Sequence, residues 1–137
     1  MNNVDIKIIS QEPKVLPLTE NYIVQIVNDS LKKINPDLTG KLEIEIIFAS
    51  EKEIKKLNLS YRKVDAPTDV LSFPQSQIKE SLENILGSIV ICLKKVDEKG
   101  EDLTDVIKHG LLHLLGYDHE ENEKKWEEAA KKIDCKL

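Results

Sequence analysis

The sequence predicts an α+β fold, a single domain over residues 1–137 with a mixed four-stranded sheet packed with helices. Three observations lead there. The chain of 137 residues is long enough to bury a core without covalent staples. Its hydrophobic fraction of 40% and charged fraction of 33% are those of an ordinary globular protein. Short alternating segments are interleaved with segments of helical period, in the order β-α-β-α-β-β-α-α.

Val4, Ile6 and Ile8 alternate with polar neighbours, which predicts a half-buried strand over 4–9. After Pro13 and Pro17, Thr19 is placed to cap a helix whose Ile23, Ile26, Val27, Leu31 and Ile34 form one stripe, closed at Asn35-Pro36. Leu42, Ile44 and Ile46 set against Glu43 and Glu45 predict a second strand running to Phe48. Ser50 and Glu53 form a capping-box pattern, and Ile54, Leu57 and Tyr61 follow at helical spacing. Val70–Phe73 and Ile89–Cys92 are short β-prone runs bounded by Pro or Gly, with Gln75–Asn84 between them as a surface loop. The pattern is helical from Thr104 to Leu115, and Gly116 is placed to end it. A last helix from Glu120 to Ile133 turns Trp126, Ala129, Ala130 and Ile133 inward, with Trp126 as core rather than a base-stacking platform.

No apolar run approaches the length of a membrane span, and the opening residues lack the basic and apolar regions of a secretory signal. Cys92 and Cys135 make neither a disulfide framework nor a Cys-x-x-Cys pair, so a cytoplasmic location is expected. The net charge of −5 argues against nucleic-acid binding by default, although phosphate contacts need only a local patch. Among nineteen lysines stands one arginine, Arg62. Its guanidinium is a planar, bidentate fork that lysine cannot copy; the alternative is a compositional bias with one survivor.

The chain's three histidines fall within eleven residues, His109-Gly110-Leu111-Leu112-His113-Leu114-Leu115-Gly116-Tyr117-Asp118-His119. Residues four apart share a helix face about 6 Å apart along the axis, so His109 and His113 can converge on one ion at roughly 2.0–2.1 Å each. His119 lies off that face, but Gly116 can take a left-handed conformation and fold the chain back. Three neutral imidazoles leave a fourth tetrahedral position open, as catalytic zinc sites do. One zinc ion per chain on His109, His113 and His119 is therefore expected. For each histidine singly, a place at the core boundary or in a solvated turn would serve as well. In His-Glu-x-x-His peptidases a glutamate base follows the first ligand. Gly110 holds that position here, so peptide hydrolysis of the usual kind is disfavoured. A base would come from Asp118, Glu120 or a residue distant in sequence, whereas polarisation of a phosphoryl oxygen stays open.

The run from His109 to His119 resembles the signature of the YbeY endoribonucleases, the bacterial rRNA maturation factors. Leu57-Asn58, Tyr61-Arg62 and Thr68-Asp69-Val70-Leu71-Ser72-Phe73-Pro74 are similar to that family's central block, and Gly87-Ser88-Ile89-Val90-Ile91 to its next strand. The resemblance implies a zincin-like fold and a metal-dependent RNase that prefers single strands. It further implies maturation of the 16S rRNA 3′ end, ribosome quality control, and rRNA and the ribosomal subunit as partners. By position it makes His109, His113 and His119 the zinc ligands and Arg62 the arginine acting on RNA, gripping the scissile phosphate. The chain departs from the family at Ser88, where aspartate is usual, and at Asp105, where a further histidine is frequent. The connection from Cys92 to the ligand helix is also shorter than usual.

Alternatives attach to the remaining residues. Ser72 either contacts a phosphate or is bonded to backbone. Asp118 either orients an imidazole or caps the following helix. Cys92 is core or a fourth ligand that closes the site. The pairs Lys55-Lys56, Lys94-Lys95 and Lys124-Lys125 form a patch around the groove or are scattered solvated charge. Two other functions compete with RNA cleavage: a zinc hydrolase of a peptide or ester, and a non-catalytic, zinc-stabilised ribosome-assembly factor. Within RNA cleavage the nucleophile is open between zinc-bound hydroxide and the substrate's 2′-OH.

Overall fold

The computed structural model describes residues 3–11, 16–36, 41–74 and 84–136. Its elements follow in the order β1 (Asn3–Ser10), α1 (Glu20–Ile34), β2 (Lys41–Phe48), α2 (Glu51–Arg62), β3 (Val70–Pro74), β4 (Asn84–Ile91), α3 (Leu93–Glu98), α4 (Leu103–Leu114) and α5 (Glu123–Lys132). The sheet order is β1-β2-β4-β3. The β1–β2 and β2–β4 pairs are parallel and β3–β4 is antiparallel, the mixed four-stranded sheet that the sequence predicts.

Side chains alternate across a strand, and this alternation sets the layers. Ile44, Ile46, Phe48, Ile89 and Ile91 meet Ile23, Val27 and Leu31 of α1 and Val106, Ile107 and Leu111 of α4 in the main core. The intervening Ile47 and Val90, with Leu71 of β3, face the opposite side, where Ile54 and Leu57 of α2 cover them. Helix α5 lies on α4 through Trp126, Ala129, Ala130 and Ile133 against Leu112. The helix starts follow the caps. Thr19 accepts from Tyr22 N at 3.1 Å and Ser50 from Glu53 N at 3.1 Å, each satisfying one otherwise unpaired helix N–H.

Three elements differ from expectation. Helix α3 has no counterpart in the expected order: six residues burying only Leu93 and Val96, with no side-chain cap bond, leave no amphipathic signal. Strand β4 begins at Asn84 rather than Ile89, and residues 75–83 of the expected loop lie outside the described residues. The strand runs on through Gly87 by a bulge, since Glu43 pairs with Ile85 and Ile44 with Gly87, leaving Leu86 unmatched. Gly87 has φ 136°, and a Cβ there would collide with the Phe73 carbonyl. Helix α5 starts at Glu123 rather than Glu120, because Asn122 caps it by accepting from Lys125 N at 3.1 Å.

Candidate functional site

His109 and His113 stand one turn apart on α4, whose start is capped by Asp102, accepting from Thr104 N at 2.8 Å. The helix ends in a Schellman turn, with Tyr117 N donating to Leu112 O at 3.0 Å and Gly116 N to His113 O at 3.1 Å. Gly116 takes φ 92°, a conformation that suits glycine, and Tyr117 packs on the Leu112 cluster. The chain thereby folds back and returns His119 to the helical pair. One ligand atom from each histidine lies within 4.8 Å of the others, and among the described residues no other group of three or more such side chains is close enough to hold an ion. His109 Nε2 and His113 Nε2 are 3.2 Å apart. Two nitrogens bound at about 2.0–2.1 Å to a tetrahedral ion would be ~3.3 Å apart, so the donors fit a metal that takes imidazole nitrogen. Burial holds His113 below the usual imidazole range, helped by the His119 and Arg62 charges and opposed by Asp118. Neutral imidazole is the form that ligates metal.

Trp126 has a place in this centre that its helical spacing with Ala129, Ala130 and Ile133 does not reveal. It is 6% exposed, and its ring lies 5.0, 5.0 and 5.3 Å from the rings of His109, His113 and His119. Helix α5 thus presses one indole against all three candidate ligands. Gly110 has its own explanation: a Cβ there would sit 2.7 Å from Ile89 Cγ2. Position 110 faces the sheet, so the glutamate of a peptidase motif would have no room.

A groove of about 770 Å³ runs beside the histidines, lined by the last turn of α2, by β3 and by the segment after Gly116. Arg62 lines it from the end of α2, where Lys63 at φ 62° terminates the helix. The loop onward to β3 is tied back by Asn58 Nδ2, which donates to Ala66 O at 2.8 Å. Ser72 lines the same groove, but its hydroxyl donates to Gly110 O at 3.3 Å and holds β3 to α4. Asp118 accepts from Glu120 N at 2.8 Å and orders the turn around His119 rather than capping α5. Cys92 is buried in the α2-side core. None of Lys55, Lys56, Lys94, Lys95, Lys124 and Lys125 lines the groove; Lys55 and Lys56 reach Asp65 and Glu53, and Lys94 and Lys95 reach Glu51. Arg62 is the single Lys or Arg among the described lining residues.

Two further features of the groove carry no local sequence signal. Tyr61 meets Phe73 edge-on, ring centroids 5.0 Å apart. Glu101 faces Asp69, whose hydrogen bond, with burial and the Asp69 charge, pushes Glu101 up to about 7. Burial works to raise Asp69, yet Glu101, the Lys99 ammonium 3.4 Å away and Thr68 together hold it below its usual value. The departures from the family pattern also find partners. Ser88 donates to Glu45 at 3.3 Å across the β2–β4 pair, so a carboxylate at 88 would face another. Asp105 accepts from Lys136 N at 3.2 Å and anchors the segment after α5.

Known proteins agree with this architecture. The chain is 35% identical to the Endoribonuclease YbeY of Thermotoga maritima over 118 residues, 80% of this chain and 75% of that protein. It is 35% identical over 127 residues to that of a Sulfurihydrogenibium species, covering 83% of this chain and 84% of its relative. With the Finegoldia magna protein the identity is 42% over 97 residues, 65% of this chain and 61% of that one. The solution structure of TM1509 from Thermotoga maritima superposes with a TM-score of 0.55 at 29% identity, covering 95% of this chain and 87% of that one. The sequence model described as Endoribonuclease YbeY matches residues 6–134, and the chain belongs to that family.

Proposed function

We propose that this chain is a zinc-dependent endoribonuclease of single-stranded RNA, acting in maturation of the 16S rRNA 3′ end and in ribosome quality control. The observation that carries this is one groove shared by three convergent imidazoles and the Arg62 guanidinium. Family membership supports RNA as the substrate class. When bound, zinc supplies Lewis acidity at a phosphoryl oxygen. His109, His113 and His119 would hold it, and burial favours the neutral imidazole of His113. Arg62 grips the scissile phosphate bidentately and offsets the charge that develops there. Glu101, titrating near neutrality in the groove wall, is suited to hold or release a proton. Peptide hydrolysis in the usual manner is disfavoured because position 110 is packed on Ile89. The expected setting is the cytoplasm, with rRNA and the ribosomal subunit as partners; no described helix is long and apolar enough to cross a membrane.

The test offers zinc-loaded protein a single-stranded RNA, the same sequence as a duplex, and casein. Cleavage of the single strand alone is expected. Arg62→Lys keeps the charge and loses the fork, and should lower kcat/KM about a hundredfold with zinc content unchanged. His113→Ala should lose zinc. Zinc-loaded protein that leaves RNA intact would falsify the proposal.

A further inference from the structure

We infer that the groove takes its RNA chiefly by stacking one nucleobase on the Tyr61–Phe73 pair, with one phosphate on Arg62, and so binds with weak salt dependence. This rests on the endoribonuclease reading above and names how that groove recognises its substrate.

Charge is the first argument. Single-strand channels usually track the nucleic-acid backbone with rows of cations. Here the described lining residues set the one guanidinium of Arg62 against the carboxyl groups of Asp69, Glu101, Asp118, Glu120 and Glu121. Beyond the metal site and Arg62, a phosphate meets Asp118, Glu120, Glu121 and the Asp69–Glu101 pair, with the Lys99 ammonium already held by Asp69, so a long electrostatic track cannot supply the affinity.

The second argument is where the groove offers apolar surface. Tyr61 is 67% exposed, more than Leu59 of the same helix at 47%, whereas Ile54 is fully buried. Its ring is not loose: Phe73, paired within the sheet opposite Ser88, meets it at an interplanar angle of 65°. Both rings line the groove that contains the histidines. Tyr61 and Arg62 are consecutive in the last turn of α2, so ring and guanidinium can serve the base and the phosphate of neighbouring groups on one strand. Stacking needs an uncovered base face, which a duplex withholds and a single strand presents. A preference for single strands, tolerant of sequence, then follows from the aromatic pair itself.

The test measures binding of zinc-loaded wild type, Tyr61→Phe and Tyr61→Leu to a labelled, cleavage-resistant 2′-O-methyl phosphorothioate oligonucleotide by fluorescence anisotropy. Circular dichroism and zinc content check that each variant is folded. Tyr61→Phe should bind within about twofold of wild type and Tyr61→Leu about 5- to 150-fold more weakly. The slope of log K against log salt should be about −0.7, one phosphate. Equal binding by Tyr61→Leu, or a slope steeper than about −2, overturns the inference. If wild type cuts RNA and Tyr61→Leu binds as well as it does, only this inference fails. If zinc-loaded wild type neither binds nor cuts RNA, the endoribonuclease reading fails with it.

Discussion

Replacing Gly110 by alanine tests the packing that separates this centre from a peptidase. The added Cβ would lie 2.7 Å from Ile89 Cγ2 and 3.3 Å from both Cδ1 and Cγ1, where carbon contacts settle at about 3.5–4.0 Å. Ile89 is fully buried and cannot swing into solvent. Overpacking of this kind costs about 1–3 kcal/mol, whereas alanine gains about 1 kcal/mol over glycine inside a helix. The variant should therefore lose about 1 kcal/mol. Ile89→Ala deletes all three opposing atoms at its own cost of about 2–5 kcal/mol. In that background Gly110→Ala should stabilise by about 1 kcal/mol, a coupling of about 2 kcal/mol across the cycle. Urea unfolding of chelator-treated protein measures each corner without a contribution from bound metal. Equal effects of Gly110→Ala in both backgrounds, or stabilisation of the wild-type background, would refute the packing argument.

Two further outcomes follow from the site. Trp126→Leu should weaken zinc binding about 10- to 100-fold in competition with a chromophoric chelator, and Trp126→Phe should largely restore it; equal affinity in all three proteins would show the indole to be core only. Glu101, raised to about 7, binds a proton in the folded chain that the unfolded chain releases near the ordinary carboxyl value of 4.5. Its contribution to stability is present below that value and lost as pH rises through about 7. Asp69 works in the opposite sense, losing its contribution only as pH falls through its lowered value. Glu101→Gln keeps a neutral donor toward Asp69, so its Tm should fall less than that of wild type from about pH 5 to about pH 8; parallel Tm curves would count against a shared proton.

Features set by local sequence were legible in the chain. Thr19 and Ser50 cap their helices because an N-cap is decided within three residues of itself. The ligand turn is equally local: Gly116 and Tyr117 close a Schellman turn on Leu112 and His113, so the spacing of the three histidines already contained their convergence. Tertiary packing decided the rest. The order β1-β2-β4-β3 depends on which strands meet across long separations, and the bulge at Leu86-Gly87 on the approach of Phe73. In sequence, Trp126 was one more apolar residue in a helical stripe; only the docking of α5 on α4 brings it to the imidazoles. Phe73 reaches Tyr61, and Glu101 reaches Asp69, from separate elements for the same reason. The sequence alone therefore determined where the candidate ligands stand, since one helix and one turn carry all three. Only the folded chain decided what surrounds them, because walls and backing are assembled from residues that become neighbours through the sheet and the helices laid on it.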